Sequence, residues 1–159
     1  SIHPSYDNSL LQLGNAHNYL QRYEEAIEYY NRLLKMYPEH ANGFNNLAIT
    51  YRDAGRYYGE QKNDLQKSLR YLQKAYEMKA DDYETVRLLG VAYGVGGDNP
   101  KAISFFTKAT ELEPNNADAW WNLGSAYYYI QDEARANQYF QKAKELDPGI
   151  EARKRQGGG

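Results

Sequence analysis

The side chains of this chain that could do chemistry are few and poorly grouped. Its three histidines, His3, His17 and His40, are spread through 159 residues without metal-ligand spacing. No cysteine is present, which removes disulfides, thiolate metal sites and a cysteine nucleophile together. That absence fits any compartment, cytoplasm and periplasm alike. Gly94-Val95-Gly96-Gly97-Asp98 superficially resembles a phosphate loop, but it lacks the Gly-Lys-Ser/Thr ending and follows no strand pattern. The paired acids Glu24-Glu25 and Asp81-Asp82 fall at expected helix starts, where negative charge complements the helix dipole. That placement explains them without general acid–base work. The expectation is therefore a non-enzyme with no catalytic residue, no metal site and no cofactor.

Charge and hydropathy exclude other classes. Lysine and arginine total 19 against 21 aspartates and glutamates, a formal net charge of −2. No general field attracts nucleic acid or an anionic membrane. The one basic cluster, Arg153-Lys154-Arg155, reads as a solvated end. No apolar run approaches the roughly 18 residues that a membrane-crossing helix needs. Neither nucleic acid nor direct membrane contact is expected.

The elements that position these side chains follow from a 34-residue beat. Pro4 and Pro38 stand 34 apart, as do Ala80 and Pro114, and Pro114 and Pro148. Only the interval from Pro38 to Ala80 is longer, at 42, one beat plus eight residues. A fixed period of this length marks a stacked array in which each unit buries its neighbour's apolar face. Within the last beat Trp120, Leu123 and Tyr127 lie at i, i+3 and i+7 on one helical face. Ala136, Phe140 and Ala143 form a matching face on the next helix. The spacing predicts eight helices, at 8–20, 24–36, 42–54, 64–79, 84–95, 100–112, 118–130 and 134–146. Asn99 before Pro100 reads as a helix cap, as does Asp132, and Asn63 or Asp64 can cap the helix after the longer interval. The extra residues are expected within Arg56 to Asp64, as a longer turn with or without lengthened helices. A partner contact through Tyr57 and Tyr58 is the functional alternative.

The four copies read Leu10-Leu13-Gly14-His17-Ala26-Tyr30-Leu33-Pro38, Phe44-Leu47-Ala48-Tyr51-Ser68-Leu72-Ala75-Ala80, Val86-Leu89-Gly90-Tyr93-Ala102-Phe106-Ala109-Pro114 and Trp120-Leu123-Gly124-Tyr127-Ala136-Phe140-Ala143-Pro148. This pattern resembles the tetratricopeptide repeat family, whose signature of Trp, Leu-Gly, Tyr, Ala, Phe and Pro they track over residues 7–150. The resemblance implies an all-α fold, a right-handed superhelix of antiparallel helix pairs. Its repeats would span 7–40, 41–82 with the eight-residue insertion near 56–64, 83–116 and 117–150. Residues 1–6 match the tail of a preceding repeat, and 151–159 read as a cap remnant with a glycine tail. The chain is thus expected to be an excerpt of a larger array.

In that family the first helix of each repeat lines a concave groove that receives a peptide or a partner helix. Carried onto this sequence, the groove slots are Leu11, Gln12, Asn15 and Tyr19, then Asn42, Asn45, Asn46, Ile49 and Arg52. The later repeats supply Arg87, Leu88 and Val91, then Trp121, Asn122, Ser125 and Tyr128, with Glu84 and Asp118 beside them. Amides would pair with a peptide backbone and aromatics would hold its side chains. Trp121 is the leading anchor, unless it packs against a cap helix.

Two sub-types of the family can be tested on these slots. The carboxylate clamp of chaperone-binding members keeps its asparagines here, at Asn15 and Asn46. Its basic slots hold Leu11, Glu84 and Leu88, so that sub-type is not expected. The asparagine ladder of the O-GlcNAc transferase array reads Gln12, Asn46, Leu88 and Asn122, broken at Leu88. The resemblance implies a non-catalytic protein–protein interaction module that scaffolds a complex. Two alternatives stay open: an accessory array of a larger enzyme such as a membrane-anchored glycosyltransferase, and a structural spacer or oligomerisation element. The 17 tyrosines, among them Tyr29, Tyr58, Tyr128 and Tyr129, leave self-association through exposed repeat faces open as well.

Overall fold

The computed structural model describes residues 4–157. Of the residues and segments singled out above, His3, the first three residues of 1–6 and the last two of 151–159 lie outside that range. Among the described residues there are nine helices and no strand: α1 Pro4–Tyr19, α2 Tyr23–Met36, α3 Ala41–Glu60, α4 Leu65–Met78, α5 Tyr83–Val95, α6 Asn99–Leu112, α7 Ala117–Tyr129, α8 Glu133–Leu146 and α9 Ile150–Gln156. No helix among these residues is long and apolar enough to cross a membrane. The chain forms two compact units, residues 1–80 with α1 to α4 and residues 81–159 with α5 to α9.

Side-chain caps set most of the helix starts. His40 Nδ1 accepts from the Gly43 amide at 3.0 Å, Asp64 from Lys67 at 2.9 Å, Asp82 from Thr85 at 2.9 Å and Asp132 from Arg135 at 3.1 Å. Each satisfies an amide that the first helical turn leaves without a partner. The cap of α6 is Asp98, which accepts from Lys101 at 3.2 Å, rather than Asn99. Proline suits the first turn at either register, so the sequence could not separate these two positions.

Each antiparallel pair closes through a short turn with one residue in the left-handed region. Those residues are Gln21 (φ 57°), Asn63 (φ 53°), Gly97 (φ 80°) and Gln131 (φ 64°). In three of the turns the following amide reaches back five residues: Arg22 to the His17 carbonyl, Asp98 to that of Tyr93 and Asp132 to that of Tyr127, at 2.9 to 3.0 Å. This is the six-to-one bond that ends a helix in a left-handed cap.

Close approach within a pair rests on the motif glycines. A Cβ built on Gly90 would stand 2.6 Å from the Phe106 ring, and one on Gly124 2.8 Å from the Phe140 ring. The same contact is made once more at Gly14, against the Tyr30 ring. In the first unit Ala26, Tyr30, Leu47, Tyr51 and Ala75 form a buried cluster with Leu11, Ile27 and Leu34 packed against it. In the second, Ala102, Phe106 and Leu123 form one cluster, and Ala117, Ala143 and Ile150 another. Ile150, the first residue of α9, is fully buried. Lys154 from the same helix reaches Asp118 at 2.5 Å, so α9 is both seated and latched on the end of α7.

The eight extra residues behave differently from a lengthened turn. α3 has 20 residues where α5 has 13, so seven of the eight are helical. The eighth lies in the turn, 61–64, against 96–98 in the later pair. Gly55 then meets Leu72 as Gly90 meets Phe106, with a built Cβ 2.5 Å from the leucine side chain. Ser68 Oγ donates to the Gly55 carbonyl at 2.7 Å, tying the extension to α4. The expected end of this helix at residue 54 is therefore corrected to 60. Seven residues are nearly two full turns, so the helix keeps its buried face and nothing in its pattern announces the extra length. The start of α1 also differs from expectation: the helix expected from residue 8 begins at Pro4.

Candidate functional site

The expected groove residues come from the first helix of each pair, and the structure holds many of them in internal contacts. In the first unit the Tyr30 hydroxyl donates to Asn15 Oδ1 at 2.7 Å, and Asn46 Nδ2 donates to the same oxygen at 2.8 Å. The two groove asparagines are thus bonded to each other and to a core tyrosine. Burial pushes the Tyr30 hydroxyl's pKa up, which keeps it in its protonated, donating form. Leu11 packs on the core cluster beneath. Gln12, Tyr19, Asn42 and Ile49 are exposed, Tyr19 at 88%, and Asn45 is half-buried. Arg52 turns to Asp53, its Nε 3.1 Å from Oδ1.

In the second unit Arg87 makes a two-pronged bond to Glu84, at 2.8 and 2.7 Å. Leu88 is only 5% exposed, because α5 buries a wide arc that takes in Thr85, Val86, Leu88, Leu89 and Ala92. It is not open to a ligand. The Trp121 ring lies 4.6 Å from that of Phe140 and packs on the cluster containing Ile150. Cover by the cap helix, rather than projection as a bare anchor, is its position here. Asp118 is engaged by Lys154 at 2.5 Å and Arg153 at 3.4 Å. At the start of α5, Tyr83 has its hydroxyl buried, and its pKa is pushed up to about 12 by that burial first and by Glu113 next.

What remains open in this unit gathers at one cavity of about 400 Å³. Val91, Asn122 and Ser125, all expected in the groove, line it. So do Val95, Asn99, Phe106 and Tyr129, which the sequence reading did not place there. Val91 is 40% exposed, Val95 74% and Tyr129 74%. A signal for two of these was available: Val95 and Tyr129 stand one helical turn beyond Val91 and Ser125 on the same faces. The cavity joins apolar walls to the amides of Asn99 and Asn122, and Ser125 Oγ donates to the Trp121 carbonyl at 2.9 Å. Tyr128, 65% exposed, lies beyond it on α7.

The tyrosines of the extension are also used internally. Tyr58 donates to Glu24 Oε1 at 2.5 Å, Lys67 Nζ reaches the same oxygen at 2.8 Å, and that ammonium sits 3.9 Å from the Tyr58 ring centre. Burial pushes the Glu24 carboxyl up, but the bonds from Lys67 and Tyr58 outweigh it and hold the group at about 2. The His17 ring packs at 5.2 Å from that of Tyr29. No group of three or more His, Cys, Asp or Glu among the described residues could hold a metal ion.

Comparison with known proteins places the chain among repeat proteins. Residues 3–81 match a family profile described as tetratricopeptide repeat, residues 96–130 one described as TPR repeat, and residues 117–150 a further tetratricopeptide repeat profile. No curated protein matches. Among solved structures, MamA from AMB-1 is 25% identical, with a TM-score of 0.64 over 90% of this chain and 74% of that one. YrrB, described as a TPR protein with an unusual peptide-binding site, is 20% identical, with a TM-score of 0.62 over 91% of this chain and 90% of that one. A Thermobaculum terrenum O-GlcNAc transferase mutant is 23% identical, with a TM-score of 0.59 over 64% of this chain and 19% of that one.

Proposed function

This chain belongs to the tetratricopeptide repeat family, and from that premise we propose that it is a non-catalytic interaction module whose second unit takes an extended peptide on α5 and α7. The observation that carries this reading is the cavity lined by Val91, Val95, Asn122 and Tyr129. An apolar peptide side chain fits between the valines and the tyrosine ring. The Asn99 and Asn122 amides supply a donor and an acceptor to the peptide backbone on either side of it. Apolar walls beside a few placed polar groups are the usual make-up of a ligand site. YrrB, which shares the fold and is described as having a peptide-binding site, supports the reading by example.

The internal pairs narrow what such a peptide can be. Arg87 already serves Glu84, and Arg52 serves Asp53. Affinity on α5 and α7 then comes from apolar burial and amide bonds, so it should vary little with salt. Peptide phage display against the whole chain tests this, with a Val91→Ser/Asn122→Ala/Tyr129→Ala variant panned in parallel. Peptides with an apolar centre should be enriched on the parent and lost on the variant, whose helicity is checked by circular dichroism. Enrichment that ignores these three changes overturns the reading.

One observation favours a second reading. Tyr128 and Tyr129 are 65% and 74% exposed, and Ile130 beside them is 42% exposed. A second copy of the chain could cover that edge, which is the oligomerisation alternative. Sedimentation at millimolar concentration separates the two, since a chain that stays monomeric leaves the edge to a peptide.

A further inference from the structure

The last helix of the second unit, α9, has seven residues, and little of its order is its own. Isolated helices shorter than roughly 12–15 residues are marginal in water. α9 starts at Gly149 without a side-chain cap, and Ile150 is its one buried residue. Glu151 and Lys154 are half-buried, and Ala152, Arg153, Arg155 and Gln156 are exposed. The segment is therefore helical because it is docked, through one apolar side chain and a set of ion pairs. Elements held in this way lie at the low end of local stability.

The place where it docks has a defined chemistry. Ile150 is buried with Ala117 of α7 and Ala143 of α8, and Trp121 and Leu146 pack around this seat. Two carboxylates flank it. Asp118 on α7 meets Lys154 Nζ at 2.5 Å and Arg153 Nη2 at 3.4 Å, and Asp147, just after α8, meets Arg153 Nη1 at 2.5 Å. The Arg153 bond first, and the Gly149 amide second, hold the Asp147 carboxyl below its usual range, so it stays anionic. Lys144 of α8 meets Glu151 at 2.6 Å. Ile150, Arg153 and Lys154 stand at i, i+3 and i+4, on one helical face. The charged side chains of these pairs are between 33% and 53% exposed, so water and salt weaken each pair.

We propose that α9 is a displaceable strap, and that the α7–α8 seat beneath it receives a helix of a partner protein with the chemistry that α9 itself displays. That chemistry is an aliphatic residue followed three and four positions later by basic residues. The segment in residence identifies it: the seat takes an aliphatic side chain against Trp121 and answers the basic groups with Asp118 and Asp147. An acidic helix would bring its carboxylates against those two. While α9 is docked, Trp121 is covered and Asp118 is engaged. A resident segment lowers the apparent affinity by the fraction of time for which the seat is vacant, so the strap sets the strength of capture. The seat stands apart from the cavity at Val91 and Tyr129 and does not depend on peptide capture there.

The test uses the whole chain and a blocked alanine-based helix of about 15 residues. This peptide carries one isoleucine, with arginine and lysine three and four positions further on. Its control has glutamates in place of the two basic residues. Binding is followed through the Trp121 indole N–H signal in nitrogen-15 spectra, and the state of α9 through its hydrogen exchange. The signal should shift saturably with the basic peptide alone, and exchange in α9 should quicken as peptide is added while α8 stays unchanged. Lys154→Glu loosens the strap and leaves the seat intact, so the basic peptide should bind about tenfold tighter. Asp118→Asn also loosens the strap but removes the partner's ion pair, so affinity should not rise. Should Lys154→Glu fail to fold, Lys154→Gln takes its place. Absence of saturable binding to the loosened variant, or equal affinity in parent and variant, would overturn the proposal. So would equal binding of the control, or binding that leaves exchange in α9 unchanged. Sedimentation at the same concentrations covers the remaining occupant. A parent that dimerises, and loses the dimer with Ile150→Ser, assigns the seat to a second copy and overturns the partner.

Discussion

Two glycines of the second unit, four positions apart on α5, should respond to alanine in opposite directions. At Gly90 a Cβ would stand 2.6 Å from the Phe106 ring, whereas at Gly94 its nearest neighbour is the Ala102 Cβ at 3.8 Å. Overpacking typically costs about 1–3 kcal/mol, and alanine recovers about 1 kcal/mol of helix propensity over glycine. Gly90→Ala should therefore destabilise by about 1–2 kcal/mol, and Gly94→Ala should stabilise by about 0.5 kcal/mol. Urea unfolding of both variants checks the pair. At Glu24 the expectation concerns pH. Partial desolvation raises its pKa, yet the bonds from Lys67 and Tyr58 outweigh that and bring it from 4.5 down to about 2. A depressed carboxylate contributes stability above its unfolded value, and that contribution is lost as pH falls through the folded value. The stability gap between the parent and Glu24→Gln should thus be full above pH 4.5 and close as pH falls to about 2. Denaturant midpoints at pH 6, 4 and 2 measure it.

Helix starts and turn chemistry were largely legible, and helix length was not. Asp132 and Asp64 are cap residues by type, and they cap. The end of α3 was missed because Gly55 and Gly59 look like chain breakers. Both instead serve close approach, to Leu72 and to Ser68 Oγ. A glycine in sequence does not say whether it frees a backbone angle or makes room for a neighbour. At the turns it does free the angle: Gly97 sits at φ 80°, while Gln131 takes the equivalent place at φ 64°. A side chain there costs on the order of 1 kcal/mol. Gln131→Gly should raise the thermal midpoint and Gly97→Ala should lower it, each by a shift corresponding to about 0.5–1 kcal/mol. Calorimetry of the two variants decides whether left-handed geometry or unfolded-chain entropy dominates at these turns.

At the scale of the whole chain, the 34-residue beat made the all-α repeat fold readable without any structure, because stacking forces the same apolar spacing on every copy. The candidate site was only half readable. Periodicity separates a buried face from an open one, and Val91, Asn122 and Ser125, which the family resemblance assigns to a groove, line this cavity. It is silent on pairing between helices. The bond from Asn46 to Asn15 and the seating of Trp121 beside Ile150 join residues that no local pattern links. The division into residues 1–80 and 81–159 carries its own expectation. Stability in repeat arrays is a sum of local contacts. Gly90→Ala should therefore speed hydrogen exchange in α5, α6 and α7 by about fivefold or more, with a smaller change in α1 and α2. Uniform acceleration across all helices would instead mark one cooperative block.

The seven added residues of α3 also bear on how such chains change over generations. Duplicating seven codons inside a helix turns the downstream face by only about 20°, so every later side chain still points where it did before. Insertions of two or five codons would swing it to the opposite side and would be eliminated. Whole-heptad growth is thus a step that selection tolerates at once. It leaves new surface overhanging a turn, on which a fresh contact can be refined without disturbing the array beneath.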